Sequence, residues 1–353
     1  MNKFYKIFNE NYISKAVSNA RVNLIGEHTD YTGGYVLPIL LDKKTEIYIS
    51  FNKNNHNVFS DYFNEMVSFN DLAKSRNNHW VDYIKGSLSI IKSSYDLPDH
   101  FFNILISSNI PINRGISSSA AICVSILKAI NNYYDLKIDN KNIALIAQKV
   151  ENEYIGVTGG IMDQMVSSIG VLNKAFFLNC LSLEYKLIDI PKNYLFCLVD
   201  SKVQRNLRNS SYNQRYKELK EAEKILSPLT LFNASIEDLN KKQFSNYIIK
   251  KRALHVVSEN QRVLKAIKAL KDNNMDFFGK LMNQSHESYS NDFEASTKEV
   301  DEVVKNSLNS GAIGSRLTGG GFGGFVVSLI NINNLITWKT KMFKLYEKER
   351  FLF

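Results

Sequence analysis

Residues 117–127, SSSAAICVSIL, carry no charge, and the run continues as KAINNYY to residue 134. A helix written this way is apolar on nearly every side and has to be buried on all of them. A small open fold cannot surround it, but this chain has the material to do so. Its 353 residues are 44% apolar and 12% aromatic, enough to bury a sizeable core and to form two domains. No Pro-rich or Gly/Ser-rich linker interrupts it, so two domains would pack closely and share an interface.

Segments rich in β-branched and aromatic residues predict strands. They are VNLIG (22–26), YVLPILL (35–41), TEIYISF (45–51), FFNILISSNI (101–110), AFFLNCL (175–181) and LFCLVD (195–200). Thr32-Gly33-Gly34 and Asp42-Lys43 read as turns between them, and Pro38 marks an edge or a bulge. IALIAQKVENEYIG (143–156) predicts an amphipathic helix, and GGIMDQMVSSIG (159–170) a loop, a short helix and a Gly stop. Ser211 and Gln214 fit a capping box, followed at helical spacing by Tyr216, Leu219, Ala222 and Leu226. Further amphipathic helices run through 235–310, and SRLTGGGFGGFVVSLI (315–330) is a Gly-rich turn before a strand. With no repeat of fixed period, the fold class is α+β with mixed sheets.

Charge and cysteine usage exclude several functions. Lys+Arg outnumber Asp+Glu by 44 to 35, giving +9, but the lysines are scattered, often beside Asn. That pattern is a solvated surface rather than a nucleic-acid footprint. Cys123, Cys180 and Cys197 fit neither a disulfide framework nor a zinc site. His28, His56, His79, His100, His255 and His286 are too dispersed for a histidine metal site. The N-terminus lacks the apolar core of a signal peptide, and no apolar run reaches the roughly 18 residues of a membrane span. The expectation is a soluble cytoplasmic protein with no membrane and no nucleic-acid partner.

Four segments can carry chemistry. In PINRGISSSAA (111–121) a Gly and small hydroxyl residues open the uncharged helix, where free N–H groups and the helix dipole suit a phosphate. It lacks the Lys of a GxxxxGK[ST] loop, and an ordinary Ser-capped core helix has the same spelling. TGGGFGG (318–324) lets a backbone approach a ligand or simply makes a tight turn. Asp163 is the lone acid of an uncharged stretch from 154 to 173, a candidate base or a helix cap. RVNLIGEHTDY (21–31) gathers Arg21, Glu27, His28 and Asp30 at a strand end, suited to a polyhydroxylated ligand or a charged turn.

Taken together, these segments resemble a known family. RVNLIGEHTDY followed by GGYVLP resembles the galactokinase signature, and PINRGISSSAA the phosphate loop of the GHMP kinases. GIMDQ, SRLTGGGFGG, NSSYNQRYKE, RALHVV and HESYSNDFE resemble galactokinase segments, in order, over nearly the whole chain. The resemblance implies a two-lobed GHMP kinase fold with mixed sheets and the active site between the lobes. The N-terminal lobe would be 1–180 and a ferredoxin-like C-terminal lobe 181–353. It implies ATP-dependent phosphorylation of the anomeric hydroxyl of galactose, giving galactose 1-phosphate and ADP, the entry step of galactose utilisation.

The same resemblance assigns residues. Asp163 would be the general base and Arg21 its partner. Glu27, His28, Thr29 and Asp30 would line the sugar pocket and Tyr212 would close it. Asn113, Arg114, Gly115, Ile116, Ser117, Ser118 and Ser119 would wrap the ATP phosphates, and Ser60 would touch the nucleotide. Ser119 and Glu151 would hold Mg²⁺, a hard cation that prefers oxygen ligands. Galactose and ATP are then the partners, and a monomer is the default. The Glu-His-Thr-Asp string speaks against a mevalonate kinase but does not separate galactose from N-acetylgalactosamine. A sugar and ATP sensor on the same scaffold is the non-catalytic alternative. The chain departs from the pattern at Asn19-Ala20, where Pro-Gly is common, at Arg114, where a small residue is usual, and at Thr158-Gly159, near a frequent Cys. After the glycine-rich segment, a further strand and tail are expected to be missing.

Overall fold

The structure, a computed structural model, describes residues 2–75, 79–112, 114–203 and 208–353. In chain order the elements begin α1 (Lys3–Phe8), β1 (Ser14–Asn23), β2 (Tyr35–Val36), β3 (Pro38–Asn52), β4 (His56–Ser60) and β5 (Glu65–Phe69). They continue α2 (Asp82–Tyr95), β6 (Phe101–Ser108), α3 (Ser118–Tyr134), α4 (Asn140–Lys149), a π-helical turn (Val150–Ile155) and α5 (Met162–Ile169). Then come β7 (Lys174–Asn179), β8 (Tyr185–Asp189), β9 (Tyr194–Asp200), α6 (Arg208–Leu226), α7 (Ile236–Lys241) and α8 (Tyr247–Lys271). The last are α9 (Met275–Asn291), α10 (Lys298–Asn309), β10 (Gly314–Leu317), β11 (Phe325–Asn331), α11 (Leu335–Met342) and β12 (Phe351–Leu352).

Two contact-dense units interleave along the chain. The first comprises Met1–Arg21, Leu40–Ile112 and Ser117–Leu172; the second comprises Val22–Ile39, Asn113–Ile116 and Asn173–Phe353.

In the first unit β1 pairs with β3, and the order continues β3-β6-β4-β5, with β4 and β6 parallel. The uncharged run forms α3, as its composition demands. Ala120 and Ala121 are buried, and Cys123, Val124, Ile126, Leu127 and Ile130 pack with Ile47, Ile49, Ile104 and Ile106 of the sheet. Burying that face is the main stabilising term of this unit. Asp42-Lys43 is not a turn: β3 runs through it, with Asp42 exposed. Pro38 opens that strand, a position that needs no ladder N–H.

In the second unit β2, β7 and β8 pair antiparallel, and a separate antiparallel sheet runs β10-β11-β9-β12. Its core gathers Cys197, Val199, Leu219, Leu226, Val256, Phe293, Val303, Val326 and Trp338. Two expectations are corrected here. The strand expected to be missing is present: β12 pairs with β9 at Phe351↔Val199. Ser211 is no cap, because α6 starts at Arg208 and Ser211 lies inside it. Cys123, Cys180 and Cys197 are free thiols, and burial pushes Cys197 up to about 12. Among the described residues no helix is long and apolar enough to cross a membrane.

Candidate active site

In the first unit, Asp163 is the second residue of α5, where the helix dipole favours a carboxylate. Arg21, near the end of β1, meets it with both prongs of its guanidinium. Nε donates to Oδ1 at 2.6 Å and Nη2 to Oδ2 at 2.7 Å. Arg21 is 6% exposed and Asp163 28%, so the cation is enclosed while the carboxylate keeps an open face. The Ser117 hydroxyl donates to Oδ2 as well. Ser117 precedes α3 in the left-handed region, φ 62 and ψ 45, unusual for a residue with a Cβ. The first α3 backbone bond runs from the Ala121 N–H to the Ser117 carbonyl, which leaves the N–H groups of 118–120 ahead of the ladder.

Glu151 lies in the π-helical turn. Its carboxylate accepts from Gln164 and from the Ser119 hydroxyl. The residue keeps some exposed surface, but its carboxyl is enclosed by protein. Burial pushes that carboxyl up to about 7; the nearby Asp163 adds to the rise, while Ser119, Gln164 and Arg21 oppose it. A hydroxyl and a carboxylate of this kind are hard oxygen donors whose strain a cation relieves, so they fit Mg²⁺. Ser60 ends β4, buried, its hydroxyl accepting from the Phe63 N–H at 3.4 Å.

In the second unit, Gly26-Glu27-His28-Thr29-Asp30 forms the turn after β1. Gly26 has φ +102, and a Cβ there would sit 2.6 Å from the Tyr35 carbonyl. The Thr29 hydroxyl lies 2.6 Å from the Tyr35 carbonyl and 2.9 Å from that of Gly26, so it shapes the turn. Glu27 is 1% exposed. Its Oε1 accepts from the Gly319 N–H at 2.8 Å and from Arg316 at 3.1 Å, and Oε2 accepts from Asn23. The His28 ring sits between the Tyr31 hydroxyl at 2.8 Å and the Tyr289 hydroxyl at 2.9 Å, against Phe293. Tyr289 donates to the Gly319 carbonyl at 2.8 Å, so its oxygen is left to accept from the His28 Nε2–H. Asp30 opens a short 3₁₀ turn and keeps exposed surface. Tyr212, on α6, places its ring 5.4 Å from His28 and 5.9 Å from Tyr31.

The glycine-rich turn joins β10 to β11, with positive φ at Gly319, Gly321, Gly323 and Gly324. A Cβ on Gly319 would stand 2.7 Å from the Gly115 carbonyl, so this turn lies against the start of the serine loop. Arg114 pairs with Asp200 at the end of β9, 3.1 Å away. Asn113 lies outside the described residues.

Sequence reasoning missed several members: Ser117 as a partner of Asp163, Gln164 as a partner of Glu151, and the aromatic ring set around His28. Only Gln164 left a local signal, as the neighbour of Asp163 in GIMDQ. Among the described residues no group of three or more His, Cys, Asp or Glu gathers as a metal cluster.

The chain is similar to known proteins over most of its length. Residues 82–171 match the GHMP kinases N terminal domain, residues 266–336 the GHMP kinases C terminal domain, and residues 2–51 the galactokinase galactose-binding signature. The chain is 36% identical to a galactokinase of Clostridium perfringens over 93% of its own length and 88% of the relative's. It is 36% identical to one of Thermotoga petrophila over 95% and 94%. The solved structure of Lactococcus lactis galactokinase complexed with galactose superposes with a TM-score of 0.93 at 30% identity, covering 99% of this chain and 95% of that one. Methanococcus jannaschii mevalonate kinase shares the fold at TM-score 0.69 and 21% identity, covering 95% of each chain.

Proposed function

The chain belongs to the galactokinase family of the GHMP kinases, an ATP-dependent sugar kinase family, and on that premise we propose how its own residues carry the reaction. The observation that supports the assignment best is the two-pronged contact of Arg21 with Asp163, with Ser117 as a third donor. Three donors on one carboxylate fix its orientation and leave its open face to an incoming hydroxyl.

Asp163 accepts the hydrogen bond of the anomeric hydroxyl and takes its proton as the oxygen bonds to the γ-phosphorus. The bond from that phosphorus to the bridging oxygen breaks and ADP leaves. Arg21 keeps the carboxylate oriented and offsets the charge that builds near it. Glu27, His28, Asp30 and Tyr212 read the sugar, and Thr29 contributes through the turn it shapes. The N–H groups at the start of α3, with Gly115, Ile116, Ser117 and Ser118, receive phosphate oxygens; Asn113, Arg114 and Ser60 belong to the nucleotide side. Bound with ATP, Mg²⁺ supplies charge neutralisation across the phosphates, and Ser119 and Glu151 are the residues that would hold it. The setting is the cytoplasm, and the chain acts as a monomer.

The test is formation of galactose 1-phosphate coupled to ATP consumption, run over galactose, N-acetylgalactosamine, arabinose and mevalonate. Galactose should give the highest kcat/KM. Near-zero galactose turnover would sink the reading, and binding without turnover would make the protein a sensor.

A further inference from the structure

A buried guanidinium needs compensation, and Arg316 is 0% exposed. It lies between two carboxylates, Glu27 at 3.1 Å and Glu259 at 3.9 Å, with its guanidinium 5.9 Å from the centre of the Tyr289 ring. Among the described residues nothing accepts a hydrogen bond from its Nε or Nη2. Glu259, also 0% exposed, is satisfied on every side. It accepts from the Gly26 N–H at 2.8 Å, from Arg262 at 2.6 Å and from the Ser285 hydroxyl. Burial alone would raise the Glu259 carboxyl; Arg262 and Arg316 outweigh it and hold the group down at about 2. Two carboxylates and two guanidiniums thus balance inside the protein. Such a cluster adds little net stability over a well-packed apolar one, but it fixes geometry because each member is costly to move.

Its members reach two turns at once. Glu259 grips the Gly26 N–H at the start of the sugar-facing segment. Glu27, the next residue, grips the Gly319 N–H, and Tyr289, bonded to His28, grips the Gly319 carbonyl. The peptide groups of Gly319 are therefore held at both the N–H and the C=O by partners of one segment. We propose that Arg316 and Glu259 are positioning residues that lock the turn at 26–30 and the glycine-rich turn at 318–324 into a single piece, so that Glu27 and His28 meet the sugar in a fixed geometry. The inference rests on the sugar-reading role given to those two residues above.

Amide hydrogen exchange of Glu259→Gln and Arg316→Lys, compared with the unaltered protein, tests the lock without any need for turnover. Exchange should rise in 26–30 and 318–324 together while α3 and the β3–β6 ladder keep their protection. The galactose KM of the same variants should rise by at least about tenfold. Exchange rising in only one turn, in neither, or evenly over the whole second unit would overturn the proposal. So would a wild-type galactose KM in both variants. If Glu259→Gln does not fold, Arg316→Lys, which keeps the charge and loses the fork, carries the test. Absence of galactose turnover in the unaltered protein would fell the functional reading, and the exchange pattern would still judge the lock.

Discussion

Arg21 Nε and Nη2 stand 2.6 and 2.7 Å from the two oxygens of Asp163, a fork on a carboxylate with the cation side enclosed. Asp163→Ala is expected to abolish galactose-dependent ATP turnover while far-UV circular dichroism stays native. Tm should fall, because the enclosed Arg21 then loses both prongs of its contact with that carboxylate. Arg21→Lys keeps the charge but only one prong, and a kcat loss of about 10²-fold is expected. Wild-type rates in Asp163→Ala would show that another group takes the proton.

Ser117 allows stability and catalysis to be separated. Its φ of 62 costs a residue with a Cβ, and its hydroxyl serves Asp163. Ser117→Ala and Ser117→Gly both delete that bond, so both should lose a similar fraction of kcat. The Gly variant escapes the left-handed strain and should be the more stable of the two by roughly 0.5–1 kcal/mol, after the larger entropy of its unfolded chain is subtracted. Denaturant unfolding of the pair decides this, and equal midpoints would deny the strain.

How much of this was legible follows from what each feature depends on. Helix α3 was readable to within a residue because burial on all sides leaves a run without charge. Strand β1 was not, because its inward positions at Ala16, Ser18 and Ala20 are small and lack the branched and aromatic signature. The predicted strand at 22–26 overlaps it only at Val22 and Asn23. Asp42-Lys43 read as a turn because polar residues are normal in loops; here the strand simply runs through an exposed stretch there. Asp163 and Arg21 were named through a family pattern, since no local rule links residues that meet only after folding. The Arg316–Glu259–Glu27 cluster was out of reach for the same reason, as no periodicity reports which buried charges will share a cavity.

The Tyr212 ring lies tilted against His28 and edge-on to Tyr31, so Tyr212→Phe retains the ring contacts and deletes one hydroxyl. The galactose KM should rise by about tenfold and kcat should change less. An unchanged KM removes Tyr212 from the sugar site.

Gly319 has φ +82 and faces the Gly115 carbonyl, where a Cβ would stand at 2.7 Å. Gly319→Ala must shift one backbone against the other and disturb the start of the serine loop. The ATP KM should increase by about tenfold or more, and Gly320→Ala serves as the comparison within the same turn. Equal ATP KM values in both variants and the parent would break the link between the two loops.

His56 gives the chain a pH dependence that can be worked out in sign. It is 4% exposed, its ring stacked on Phe69, with Nδ1 accepting from the Phe102 N–H at 3.3 Å. Burial, helped by the charge of Lys92, lowers it from 6.5 to about 4. Lys92 in turn pairs with Asp99. Between those two pH values the unfolded chain binds a proton that the folded chain refuses. Stability therefore rises with pH through this window and is lost as pH falls from about 6.5 towards 4. One such proton gives a slope of about 1.4 kcal/mol per pH unit and a total on the order of 3 kcal/mol. His255, lowered to about 3 mainly by burial, acts in the same direction and continues below the His56 window. His56→Gln keeps an acceptor for the Phe102 N–H and should remove one proton's share of the slope, leaving that of His255. Urea unfolding of both proteins at steps from pH 4 to pH 7 measures it, and parallel curves would mean that His56 is protonated in the folded chain as easily as in the unfolded one.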